Sequence, residues 1–165
     1  MTKKTFKVGF DIHGIIDRQP ELFQKITKLL KENGCEIHIL TGSHITSEIE
    51  SQLKSYKINY DVLFSISDYH RDAGTHMWYD ENNNPWVDDL DWDRTKGEYC
   101  EKNNVHIHLD DTERYGKYFK TKFLYLNLEK DKNFYNYSEP KSLNSIKDID
   151  FWFKDIFNRN KILEL

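Results

Sequence analysis

The sequence predicts an α/β domain on a parallel sheet covered by helices on both faces, and three observations predict it. Short apolar segments alternate with helix-like periods, and several of those segments stop at Asp, Thr or Asp-Asp. The length of 165 residues allows one core and leaves little room for a second. Hydrophobic residues are lean at 38%, but aromatics at 15% supply large rings that bury area aliphatics do not.

The elements follow in order. Phe6-Lys7-Val8-Gly9-Phe10 is a strand that stops at Asp11 and so delivers a carboxylate at its C-terminal end. Pro20 suits a first helical turn, Leu22, Ile26, Leu29 and Leu30 share one face, and Asn33-Gly34 is a stop, giving a helix over 20–33. Glu36 to Leu40 is a second strand ending at Thr41-Gly42-Ser43, and Ser47 with Glu50 reads as a capping box opening a helix to about Tyr56. A third strand covers Val62 to Ile66. The stretch from Ser67 to Trp92, with Gly74 and Asn82-Asn83-Asn84-Pro85, shows no sustained period and reads as an excursion forming a small lid. Asp93 caps a helix that carries Lys96 and ends near Asn103-Asn104. Val105 to Leu109 is a fourth strand ending at Asp110-Asp111, and Lys122 to Leu128 is a fifth. Ile146, Ile149, Phe153, Ile156 and Phe157 mark a closing helix. The expectation is a single domain over 1–165 with an insert at about 67–92.

Composition excludes some functions. Lys and Arg number 24 against 28 Asp and Glu, a net charge of -4 with no long basic run, which argues against strong non-specific nucleic-acid binding. No stretch approaches the roughly 18 apolar residues of a membrane span, and residues 1–7 run into a strand rather than a signal-peptide core. A soluble, cytoplasmic protein with no membrane partner is expected; the oligomeric state is left open. Cys35 and Cys100 form no C-x-x-C pattern, which excludes a disulfide scaffold and a four-cysteine zinc site. A single bridge between them stays open, with two reduced, partly buried thiols preferred.

In open α/β sheets, ligands bind beyond the C-terminal ends of the strands, at a topological switch point. Asp11, Thr41 and Asp110-Asp111 stand at three such ends. Each alone is explained as a turn or helix cap; their joint occurrence is informative. If the first and fourth strands are neighbours, the acids converge. Two carboxylates ~4 Å apart repel by ~4 kcal/mol at an effective dielectric of 20, so the cluster needs a proton or a cation. Hard oxygen ligands suit Mg²⁺, and a metal beside a free carboxylate is a place to bring a phosphorylated substrate. Lys96 is the candidate amine and Thr41 the candidate hydroxyl donor.

The order Phe10-Asp11-Ile12-His13-Gly14, a strand ending in Thr41-Gly42, a helical Lys96, then His108-Leu109-Asp110-Asp111 resembles the four motifs of the haloacid dehalogenase-like (HAD-like) superfamily, mostly phosphohydrolases, over about residues 5–126. The resemblance implies a Rossmann-like, three-layer α/β/α fold with a parallel five-stranded sheet in the order 5-4-1-2-3. It implies Asp11 as a nucleophile forming an aspartyl-phosphate, with Thr41, Gly42 and Lys96 binding the phosphoryl group. Mg²⁺ would be held by Asp11, the backbone carbonyl of His13 and Asp110, with Asp111 a ligand directly or through water. One position departs: the family's second Asp, its general acid and base, is His13 here. An imidazole, with a reference pKa of ~6.5, can donate a proton to a leaving oxygen and later accept one from water. A small lid leaves an open site, which suits either a large substrate such as a phosphorylated chain end or closure by another subunit; the substrate itself stays open, a nucleotide or a nucleic-acid end among the candidates. Tyr69, His70, Arg71, His76, Trp78, Tyr79 and Trp86 of the insert are candidates for stacking on a base or binding phosphate; an aromatic loop packed on its own domain explains them equally.

Three functions are carried forward: a Mg²⁺-dependent phosphomonoester hydrolase; a low-turnover phosphate- or nucleotide-binding protein, because of His13; and an interaction protein with a vestigial acid cluster. Other signals read as structural. His106, His108 and His38 are expected as interior histidines, His44 as exposed, Asp17 and Arg18 as solvated turn residues, and the run Asp88 to Asp93 as a solvated edge and helix cap.

Overall fold

The computed structural model describes residues 5–128, 139–140, 142–157 and, as backbone alone, 161–163. The expectation for the first four residues, and the parts of the 1–165 domain range between these spans, lie outside the described residues.

The strands are β1 (Lys7–Phe10), β2 (Glu36–Thr41), β3 (Val62–Ser65), β4 (Trp78–Tyr79), β5 (Pro85–Trp86), β6 (Ile107–Asp110), β7 (Lys122–Tyr125) and β8 (Lys161–Leu163). The helices are α1 (Pro20–Glu32), α2 (Ser47–Ser55), α3 (Ile66–Ala73), α4 (Asp89–Asn103) and α5 (Ile146–Ile156), with 3₁₀ turns at Ile16–Arg18 and Glu113–Tyr118. One sheet runs in the order β3-β2-β1-β6-β7-β8, parallel from β3 to β7; β4 and β5 form a separate antiparallel hairpin. In chain-order numbers the parallel part reads 3-2-1-6-7 rather than the expected 5-4-1-2-3, because the hairpin's two strands take the numbers four and five. The expected five strands also become six, since β8 pairs antiparallel with β7 at the edge.

Strand alternation sends neighbouring residues to opposite faces, and two buried clusters mark those faces. Val8, Phe10, Ile37, Ile39, Ile107, Leu109 and Leu124 pack with Leu22, Phe23 and Ile26 of α1, Ile49 and Leu53 of α2, and Ile149, Phe153 and Ile156 of α5. Leu40, Val105 and Phe123 pack on the other side with Cys100 of α4, with Tyr115 of the second 3₁₀ segment and with Phe119 just after it. Phe10 is held edge-on between Phe23 at 5.7 Å and Phe153 at 6.2 Å, so the strand that carries Asp11 is anchored just before it turns. Each such fully buried ring contributes roughly 1.5–3 kcal/mol.

The insert departs from its expectation. Its first third is a regular helix, α3, with the Ser65 side chain accepting from the Asp68 N–H at one end and Gly74 in a left-handed conformation at the other. Its lid is thereby reduced to the β4–β5 hairpin. Two caps shift as well. Thr46 rather than Ser47 caps α2, accepting from the Ile49 N–H, and Asp88 rather than Asp93 caps α4, accepting from the Leu90 N–H. No helix among the described residues is long and apolar enough to cross a membrane. Cys35 and Cys100 are buried free thiols.

Candidate active site at the strand ends

β1 and β6 lie side by side, with Phe10 opposite Leu109, and the pairing runs on one residue further because the Asp11 N–H donates to the Leu109 carbonyl at 3.0 Å. That register brings Asp11 and Asp110 to the same lip of the sheet. Across from them, α4 buries Thr95, Lys96, Gly97 and Cys100 toward the sheet, so the Lys96 ammonium arrives between the two acids. Its Nζ donates to Asp110 Oδ2 at 2.7 Å and stands 3.1 Å from Asp11 Oδ1. Ligand oxygens of Asp11, Asp110 and Asp111 all lie within 4.8 Å of one another.

The two buried acids titrate in opposite directions. Burial raises Asp110, but Lys96 and the hydrogen bond from His108 overcome it and hold the carboxyl well below the usual carboxylate range. Asp110 Oδ2 also meets His108 Nε2 at 2.8 Å, and Oδ1 accepts from the Thr112 N–H at 3.0 Å. Burial keeps His108 below the usual imidazole range, hence neutral, and an ionised carboxylate only accepts, so Nε2 carries the proton. Asp11 goes the other way: burial and then Asp110 push its carboxyl well up, against Lys96. Asp111, more open, is raised by burial and by Asp110. Burial opposes the charge on Lys96, yet Asp11 and Asp110 hold its ammonium above the ordinary lysine value.

With all three acids ionised and one lysine among them, the cluster carries two uncompensated negative charges. The residues present therefore fit a hard divalent cation such as Mg²⁺, offering oxygens alone. The turn after β1 keeps this space clear. Gly14 has φ +88, and a Cβ there would sit 2.0 Å from Asp111 Oδ2, so a side chain at 14 would displace the third acid. Asp17 fastens the same turn by accepting from the Gly14 N–H at 2.7 Å, a structural role rather than that of a solvated turn residue.

A cleft of about 280 Å³ opens onto the cluster, lined by Asp11, His13, Lys96 and Asp111 on the charged side. Gly42, Ser43, Thr112 and an aromatic set, Trp86, Trp92 and Tyr115, complete much of the wall. His13 is exposed there and makes no hydrogen bond among the described residues. Thr41 ends β2 as expected, but it is fully buried, its hydroxyl accepts from the Ser43 N–H at 3.3 Å, and it is not among the lining residues. Gly42 and Ser43 stand where its hydroxyl was expected to act.

His108, Trp92 and Tyr115 were not anticipated at the site. His108 and Asp110 are two apart on one strand and so share a face, which is the signal that finds the pair. Tyr115, whose ring lies 5.5 Å from Lys96 Nζ, sits within a 3₁₀ segment with no pattern to mark it. His38 is buried between Tyr99 and Glu36, as an interior histidine. His44 is partly buried rather than exposed, bound to Asp68 at 2.6 Å and to the Tyr79 hydroxyl of the hairpin at 3.1 Å. Comparison with models of known families, with curated proteins and with solved structures finds no match.

Proposed function

We propose that the chain is a Mg²⁺-dependent phosphomonoester hydrolase of the HAD-like type. One observation carries the reading: a buried lysine bridges two carboxylates from neighbouring strand ends, with a third acid alongside, at the floor of an open cleft. Asp11, Asp110 and Asp111 would hold the cation, with the His13 carbonyl as the family's pattern implies. When bound, Mg²⁺ supplies compensation for the acids and for the incoming phosphate.

The chain's own residues then divide the work. The Lys96 ammonium, held charged across the neutral range, binds a phosphoryl oxygen and offsets its charge. An oxygen of Asp11 attacks phosphorus, the bond from phosphorus to the leaving oxygen breaks, and His13 gives that oxygen a proton. His13 then takes a proton from water as its oxygen attacks phosphorus, which frees the Asp11 carboxylate and inorganic phosphate. His108 takes no part in these steps; it fixes Asp110. Gly42 and Ser43, rather than the Thr41 hydroxyl, face the bound phosphate.

A second reading, a phosphate-binding protein of low turnover, is favoured by His13 alone, which nothing among the described residues orients. Turnover of an aryl phosphate separates the two. With Mg²⁺ we expect phosphate release that chelator abolishes and that Asp11→Asn lowers at least about a thousandfold. Equal rates for the parent and Asp11→Asn sink the hydrolase; Mg²⁺ binding without turnover leaves the second reading.

A further inference from the structure

Part of the cleft wall is built from two indoles whose polar atoms are already engaged. Trp86, on β5, donates its Nε1–H to Asp80 at 3.0 Å, and Trp92, on α4, donates its own to the Tyr115 hydroxyl at 2.8 Å. Asp80 also accepts from the backbone N–H groups of Asn82 and Asn84, each at 2.9 Å, so the residue that pins Trp86 also organises the hairpin tip. The two indoles meet with centroids 5.2 Å apart and planes inclined by 38°. Trp86 nevertheless keeps 37% of its surface exposed, and it lines the cleft. A ring fixed by its edge, with its hydrogen bond satisfied and more than a third of its surface exposed, is a platform for another flat ring.

Charge limits what else the ligand carries. Among the described residues lining the cleft, Lys96 is the one Lys or Arg, and it stands beside Asp11 and Asp111. A second phosphate would meet carboxylates with no further fixed cation, and a polynucleotide would find no basic track. The volume, about 280 Å³, is at the small end for ligand sites.

We infer that the cleft takes a small phosphomonoester with a single phosphate and a flat aromatic or heteroaromatic ring, the ring stacked on the Trp86 and Trp92 platform and the phosphate at Lys96. The placement of the phosphate rests on the hydrolase reading; the ring site does not. A nucleoside monophosphate and a simple arylalkyl phosphate share this chemistry.

Uridine 5′-monophosphate, benzyl phosphate and ribose 5-phosphate all release phosphate from a primary carbon, so they compare the ring at a similar leaving group. We expect kcat/KM at least about tenfold higher for one ring-bearing ester than for ribose 5-phosphate, the size of a stacking contact. The better of the two identifies the kind of ring. Trp86→Ala should collapse that ratio and Trp86→Phe should keep most of it. A ratio near one in the parent, or one that Trp86→Ala leaves unchanged, overturns the inference. Binding is read separately from turnover by indole fluorescence in the Asp11→Asn protein. Quenching by either ring-bearing ester that Trp86→Ala removes supports the ring site even where the parent turns nothing over, the result that would instead sink the hydrolase. No quenching by either ester overturns the ring site.

Discussion

Asp110 receives Lys96 at 2.7 Å, His108 and the Thr112 N–H, whereas Asp11 shares the same ammonium at 3.1 Å and has its own neighbour's N–H, from Ile12, at 2.9 Å. The unequal sharing makes the two acids opposite contributors to stability. Asp110, with its pKa depressed, stabilises the fold above the unfolded value of ~3.9 and loses that contribution as pH falls through its folded value. Asp11, raised by burial and by Asp110, binds its proton more tightly folded than unfolded. Its contribution is full below ~3.9 and is lost as pH rises through the raised folded value. Asparagine does not titrate. We therefore expect Asp11→Asn to melt higher than the parent in chelator at pH 7, with the gap closing toward pH 4, in paired thermal scans. An Asp11→Asn protein that melts below its parent at pH 7 would show that Lys96 already compensates the carboxylate without a metal ion. At this scale the acids and Lys96 were legible in the sequence because each stands at a strand end or on a helix facing one. Thr41 was legible as a position and not as a contact, since only the fold decides that its hydroxyl turns inward.

α4 joins three features: it starts three residues after Trp86 of the hairpin, carries Trp92, and plants Lys96. Its approach to the second 3₁₀ segment depends on Gly97, where a Cβ would stand 2.4 Å from the Tyr118 carbonyl oxygen. Backbone cannot retreat as a side-chain tip does, so Gly97→Ala must push the helix outward. Overpacking of this kind costs about 1–3 kcal/mol. We expect a urea midpoint lowered accordingly and weaker Mg²⁺ binding, because the neighbouring Lys96 moves with the helix; an unchanged midpoint would mean that the segment yields at no cost. The element least legible in the sequence was α3. Two turns barely display a period, and its inward face includes His70, which bridges Thr75 at 2.9 Å and Thr95 at 2.8 Å and so reads as polar in the sequence. The start of α4 was misplaced for a related reason. Asp88, Asp89, Asp91 and Asp93 are all plausible caps, and only the Asp88 side chain accepts the Leu90 N–H.

Over the whole molecule, the parallel sheet was legible because its strands are short apolar runs buried on both faces, separated by helices. The edge strand β8 was not, since it is only the three residues Lys161–Leu163, following a helix, α5, that reads as the closing element. The excess of negative charge at the centre of this sheet gives a global expectation. A cation that binds the folded chain alone stabilises it by about 2.7 kcal/mol at a hundredfold excess over Kd, roughly 5–10 °C for a chain of this size. Mg²⁺ should thus raise the melting temperature of the parent, and raise it less in Asp11→Asn; an equal rise in both would place the ion elsewhere. The long sequence separation of the acids has a consequence of its own. Cutting the chain at the turn between Asp80 and Asn84 yields one fragment with Asp11 and another with Lys96, Asp110 and Asp111. Neither fragment owns the whole electrostatic conflict: Asp110 and Asp111 oppose one another within one of them, and Asp11 joins only when β1 pairs with β6. If the cluster holds Mg²⁺ as proposed, neither half alone should bind the ion as the whole chain does, and mixing the halves should restore that binding.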